Sequence, residues 1–145
     1  MSEVIYFDTS ALAKWYLNEP RSDEVEKFIQ KHGPVTISDL TVIEMRSLLS
    51  RQRREKNIDS KLEAKVFATF QEDIRERFLF CHPFPPDIAI AAVNLMSVLA
   101  DIPLRSLDAM HLVIAKEIQA EHLATADRVM ADAAELLGLS VVRFD

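Results

Sequence analysis

Residues 4–12 read VIYFDTSAL: four apolar residues run into an acid, Asp8, and then into two hydroxyl residues and a helix-forming run. A short continuous apolar run of this kind is the pattern of a strand buried on both faces. A carboxylate at the mouth of such a strand has two readings. It caps the next helix, in competition with Thr9 and Ser10, or it holds a metal. One acid does not decide between them; its companions along the chain do.

The strand-then-helix pattern repeats. A short helix is expected from Ser10 to about Asn18, stopped by Pro20, and a second from Ser22 to His32, broken at Gly33 and Pro34. Residues 35–37 (VTI) are a strand candidate. The pattern is helical from Leu40 to about Lys56. Another helix starts near Asp59, where Ser60 and Glu63 have capping-box spacing and Leu62, Val66, Phe70 and Ile74 form a stripe. Residues 78–82 (FLFCH) look like strand, and Pro85, Pro86 and Asp87 open a helix with Ile88, Ala92, Leu95 and Leu99 on one face. In residues 104–120, LRSLDAMHLVIAKEIQA, the stripe is Leu107, Met110, Ile114 and Ile118. Residues 122–125 (HLAT) read as strand, 127–137 as a helix ended by Gly138, and 140–144 (SVVRF) as a last strand. Strands alternating with helices imply an α/β fold with a mostly parallel sheet covered on both faces. In such sheets the functional crevice lies beyond the carboxyl ends of the strands.

The 145 residues fit one domain, 1–145, with a sizeable core. Apolar residues are 49% and charged residues 28%, as in a soluble globular protein. No apolar run approaches the ~20 residues of a membrane span, and MSEVIYFD lacks a basic region followed by an apolar stretch, so neither span nor signal peptide is expected. The single cysteine, Cys81, excludes an internal disulfide and a multi-cysteine zinc site, and reads as a small core residue. A cytoplasmic location suits these features. The net charge of −6 does not advertise nucleic-acid binding, although clustered cation-binding carboxylates also raise the negative count.

Four acids stand out. Asp8 ends the first strand. Glu44 lies in an apolar helical row, four residues after Leu40 and four before Leu48, where a carboxylate is costly unless paired; its bland reading is a capping box with Thr41. Asp108 fits the first turn of its helix, where the dipole favours an acid. Asp127 follows another short strand and fits a cap. Each bland reading is respectable alone. Together, three acids fall at one end of the expected sheet and a fourth interrupts an apolar face. Four clustered carboxylates repel one another unless a cation is present. Mg2+ or Mn2+ prefers such hard oxygen donors and assists phosphodiester displacement.

On these residues the chain resembles the PIN-domain ribonucleases, specifically the VapC-type toxins of type II toxin–antitoxin systems. The resemblance rests on YFDTSAL (6–12) with Asp8, TVIEMRSLL (41–49) with Glu44, LRSLDAMHLVIA (104–115) with Asp108, and LATADRVMADAAELLGLSVV (123–142) with Asp127, in the family's order. It implies a three-layer α/β/α sandwich and metal-dependent endoribonuclease activity on RNA. It also implies a VapB-type antitoxin as partner, and a homodimer. Carried over by position, Asp8, Glu44, Asp108 and Asp127 are the catalytic and metal-holding acids. Thr9, Ser10 and Thr125 are candidates for hydrogen bonds that steady them. Many relatives carry a second acid or an asparagine near Asp127; ATADR supplies one carboxylate, which leaves one or two metals open.

The run RQRREK at 51–56, with Arg46 before it, is the strongest basic patch. Arg46, Arg53 and Arg54 are candidate contacts for RNA phosphates or a partner, against the plain reading of a solvated helix end. His111 is a candidate contact to substrate or to Asp108, against a packed histidine. Trp15, Tyr16 and Leu17 are candidates for a partner surface or for core. His32, His82 and His122 have no zinc spacing, and neither a hydrolase nucleophile elbow nor a nucleotide-binding glycine loop is present. Two alternatives share this fold: a PIN-type RNA- or DNA-processing nuclease without an antitoxin, and a non-catalytic interaction module.

Overall fold

Strand β1 (Ile5–Phe7) is buried along its whole length because it is sandwiched: Ile5 and Phe7 face one hydrophobic layer and Tyr6 the other. Around it, a computed structural model describes residues 3 to 145. Met1 and Ser2, part of the stretch read as lacking a signal peptide, lie outside the described residues. The remaining strands are β2 (Val35–Ser38), β3 (Leu79–His82), β4 (His122–Thr125) and β5 (Ser140–Arg143). All pair in parallel, in the order β3-β2-β1-β4-β5. The chain winds outward from β1 to β3, then crosses back to β4 on the other side of β1. That reversal makes the β1/β4 boundary the topological switch point, where parallel sheets open a crevice.

Seven helices cover the described sheet: α1 (Thr9–Tyr16), α2 (Ser22–His32), α3 (Asp39–Arg54), α4 (Ser60–Arg75), α5 (Ile88–Val98), α6 (Ser106–Glu117) and α7 (Arg128–Leu136). One core joins Phe7, Leu12, Val25, Met45 and Phe70, so α1 to α4 pack on one face. The other joins Tyr6, Leu95, Leu112, Ile114 and Met130, so α5 to α7 pack on the opposite face. The result is the expected three-layer α/β/α sandwich. Among the described residues no helix is long and apolar enough to cross a membrane.

Local details differ from the sequence pattern in three places. Helix α4 is capped by Asp59, whose Oδ1 accepts from the Leu62 N–H at 2.8 Å. Ser60 therefore sits inside the helix, and the Glu63 carboxylate binds Arg46 and Arg53 of α3 in place of a cap. Helix α6 is buried on far more than one stripe. Ala109, Leu112, Val113, Ile114 and Ala115 are all buried while Leu107 is 42% exposed, because α5 covers the side the sheet does not. Cys81 is half-buried on an edge strand rather than in the core. Burial, with the Asp39 carboxylate that accepts its S–H, pushes its thiol up to about 12.

Two outcomes follow from this packing. Phe70 is wholly buried against Tyr16 and Phe67, so Phe70→Ala lowers stability in urea denaturation by about 3–5 kcal/mol. Leu136, 70% exposed, loses less than about 0.5 kcal/mol on the same change. Alkylation of Cys81 by iodoacetamide at pH 8 is at least about a hundredfold slower in the native chain than in urea, because a raised thiol pKa removes thiolate.

Candidate active site

The carboxyl end of β1 delivers Asp8 to the switch point, 3% exposed. Asp8 is the N-cap of α1: its Oδ1 accepts from the Ala11 N–H at 3.0 Å and from the Ser10 hydroxyl at 2.7 Å. Its Oδ2 accepts from the Thr125 hydroxyl at the end of β4, at 2.5 Å. Burial pushes the carboxyl above its usual range, against the opposing pull of His111 and of these hydrogen bonds.

Thr125 also accepts from the Asp127 N–H at 3.0 Å, so one hydroxyl joins Asp8 to the next acid. Asp127 is the N-cap of α7, with Oδ1 accepting from the Met130 N–H. Asp108 lies in the first turn of α6, and its Oδ2 accepts from the N–H and the Nε of Arg105, each at 3.3 Å. The same guanidinium reaches Asp127 Oδ2 through a second nitrogen, also at 3.3 Å. Arg105 thus spans two acids, which raise its pKa further, Asp108 contributing most.

Glu44 arrives from α3. Its Oε1 accepts from the Thr9 hydroxyl at 2.7 Å and from His111 Nε2 at 2.5 Å. Burial pushes Glu44 up, but the hydrogen bond and charge of His111, with Thr9 and Arg105, outweigh it and hold the carboxyl below its usual range. The other ring nitrogen of His111, Nδ1, lies 2.7 Å from the Tyr6 hydroxyl. Tyr6 in turn sits 2.8 Å from Ser38 Oγ at the end of β2. Burial lifts the Tyr6 hydroxyl well above its usual range, so it stays protonated. Ser38, Tyr6, His111 and Glu44 form a buried hydrogen-bonded chain from the sheet to the cleft.

The cleft itself has a volume of about 690 Å3 and is lined by Thr9, Glu44, Arg51, Arg105 and Asp108 among others, with Leu40, Ile43 and Leu107 as apolar walls. The structure therefore joins Asp8, Asp108 and Asp127 through Thr125 and Arg105, while Glu44 lines the same cleft as Asp108 from its own hydrogen-bonded chain; Thr9, Ser10 and Thr125 are each bonded to one of the four acids. His111 bonds Glu44, not Asp108. Arg46 and Arg53 are turned to Glu63, and Arg46 also lies 4.7 Å from the Phe67 ring centroid. Arg54 stands exposed at the end of α3. Tyr16 donates to Asp73 of α4, and Trp15 packs on Tyr16. Tyr6, Ser38, Arg51 and Arg105 went unnamed as candidates in the sequence. Arg105 had a signal, its i,i+3 spacing to Asp108, and a tyrosine inside a doubly buried strand needs a polar partner.

The donor set is all carboxylate oxygen, which fits Mg2+ or Mn2+ and not zinc. Among the described residues, no three His, Cys, Asp or Glu side chains already converge at ligand spacing. The present spacing is set by Arg105 and His111, which supply the positive and hydrogen-bonding partners for three of the acids.

A family model described as PIN domain matches residues 5–136. The chain is 29% identical over 141 residues, 95% of each chain, to Ribonuclease VapC46 of Mycobacterium tuberculosis. Two solved structures share the fold. VapC20 of Mycobacterium tuberculosis, described as a sarcin-ricin loop cleaving toxin, aligns at a TM-score of 0.69 and 17% identity, over 89% of this chain and 94% of that one. A toxin-antitoxin complex from Klebsiella pneumoniae aligns at 0.64 and 19% identity, over 95% of each chain.

The Tyr6–His111–Glu44 chain generates a test of this site. Tyr6→Phe and His111→Ala each destabilise the protein by about 1–3 kcal/mol, by leaving buried polar groups unpaired. In a double-mutant cycle read by urea denaturation their effects are non-additive by at least about 0.5 kcal/mol. Strict additivity would mean that the two side chains do not share a bond.

Proposed function

The chain belongs to the PIN domain family, and on that premise we propose that it is a metal-dependent endoribonuclease acting as the toxin of a type II toxin–antitoxin pair. The observation that carries this reading is the joining of Asp8, Asp108 and Asp127 through Thr125 and Arg105 at the sheet's switch point, with Glu44 lining the same cleft as Asp108. The similarity to VapC46 along nearly the whole chain supports ribonuclease activity, and the toxin-antitoxin complex of the same fold supports an antitoxin partner.

Asp8, Glu44, Asp108 and Asp127 would hold Mg2+ or Mn2+, which when bound supplies Lewis-acid stabilisation of charge at the phosphodiester. The protein's own side chains do the positioning. Ser10, Thr125 and the Ala11 N–H fix both oxygens of Asp8, so this acid does not rotate. Thr9 and His111 occupy Oε1 of Glu44 and leave Oε2 free to accept. Held below its usual range, Glu44 is ionised at neutral pH and able to take a proton from the attacking water. Ser10 is not a nucleophile: its hydroxyl donates to Asp8 and accepts from the Ala126 N–H. Water gives up a proton as it adds to phosphorus, the bond to the 3′ oxygen breaks, and that oxygen takes a proton from solvent and leaves as a hydroxyl. The products carry 5′-phosphate and 3′-hydroxyl ends. The apolar walls Leu40, Ile43 and Leu107 around the acids suit a segment of antitoxin, and a homodimer fits the family resemblance.

In a cleavage assay with Mn2+ or Mg2+, Asp8→Asn loses at least about a hundredfold in rate and EDTA abolishes wild-type activity. An Asp8→Asn protein that cuts RNA at the wild-type rate removes the acid-cluster mechanism. A wild-type protein that binds Mn2+ yet cuts no RNA favours an interaction module on this fold.

A further inference from the structure

Arg105 stands where the acids need positive charge, yet it is held there loosely. Its guanidinium is split between two carboxylates, one nitrogen to Asp108 and another to Asp127, both at 3.3 Å. A charge-assisted bond of full strength is shorter, and a fork to a single carboxylate is the stronger arrangement. The side chain is 77% exposed, so solvent competes for every bond it makes. Its backbone N–H, which also donates to Asp108, belongs to the start of α6 and is independent of the guanidinium. Arg105 and Arg51 line the same cleft.

We propose that Arg105 is the built-in counter-ion of the metal-free site: a divalent cation displaces its guanidinium from Asp108 and Asp127, and the freed guanidinium joins Arg51 in binding RNA phosphates. This rests on the metal-dependent reading above. The physical argument is competition. A guanidinium carries one charge and shares it between two acids at long range. A divalent hard cation carries two and binds carboxylate oxygens directly. Once displaced, the arginine is repelled from the loaded site and is free to turn toward a phosphate.

The same truncation then has opposite effects on two ligands. Arg105→Ala binds Mn2+ up to about tenfold more tightly than wild type, because a neighbouring positive charge is gone; the readout is Mn2+ titration followed by EPR. Its RNA affinity falls, and the salt slope of binding flattens by about one, when a short single-stranded RNA is titrated with Ca2+ in place of Mn2+. Saturating Mn2+ raises the Tm of Arg105→Ala more than that of wild type, since the metal-free variant has lost its counter-ion. Arg105→Lys keeps the charge and stays near wild type for Mn2+. Arg143→Ala, which removes a cation paired with Asp132 and Glu135, leaves Mn2+ affinity unchanged. Equal or weaker Mn2+ binding by Arg105→Ala, an unchanged RNA affinity, or a lysine variant that behaves as the alanine one overturns the inference while leaving the nuclease reading intact. Absence of Mn2+ binding by wild type itself overturns both.

Discussion

The structure depends on a carboxylate removed almost entirely from water. An ionised acid in that position costs several kcal/mol unless its oxygens are satisfied. At Asp8 they are satisfied by a helix N-terminus and by hydroxyls from two different elements. The partners constrain one another. The Ala11 N–H requires α1 to begin at once after β1, and the Thr125 hydroxyl requires β4 to lie in register beside β1. The charge that organises the cleft therefore also fixes the central strand pair and the first helix.

The second acid is reached by a different route. Glu44 projects from a helix, and its orientation comes from the opposite layer of the sandwich through Ser38, Tyr6 and His111. Tyr6 belongs to the same strand as the run into Asp8 but points to the other face, because successive side chains alternate across a sheet. One short strand thus presents an acid at its end and, in its middle, a hydroxyl that reaches a different carboxylate, Glu44, through His111. A polar chain buried in a core is tolerated when every member is paired, and among the described residues no buried side-chain nitrogen or oxygen lacks a partner.

Much of this was legible in the sequence because a strand buried on both faces reads as an unbroken apolar run, and the alternation with helices then dictates a parallel sheet. The positions of the acids were legible for the same reason. Two of their plain readings hold as well, since Asp8 and Asp127 do cap α1 and α7; that of Glu44 does not, because the capping box of α3 is made by Ser38 and Thr41 and Glu44 bonds Thr9 and His111 instead. Capping and metal-holding roles are compatible, since a helix N-terminus stabilises the carboxylate that it orients. What escaped the sequence were pairings across the chain. Tyr6 and His111 are 105 residues apart, and no periodicity links them. The start of α4 near Asp59 was read correctly, but its cap was misassigned because Ser60 and Glu63 satisfy a spacing rule while Asp59, one residue earlier, makes the bond. The single stripe read on α6 failed because the middle of a helix covered by both sheet and α5 has no solvent face to define one, and exposure is confined to its ends.

Charge counting misleads here in both directions. The run at 51–56 looks like a continuous basic patch, but Arg53 and, from one helical stretch earlier, Arg46 are both turned to a single carboxylate, Glu63, which is only 12% exposed. Those arginines tie α3 to α4. Arg51, in the same run, instead lines the cleft. Conversely, four of the acids behind the net charge of −6 are gathered at the switch point, where a bound divalent cation would offset half of their negative charge toward an approaching phosphate. The field an RNA meets is set by Arg51, Arg105 and the occupancy of that acid cluster, not by the balance of the whole chain. An acidic protein is therefore a consistent host for a polyanion when its excess negative charge is what holds the cation.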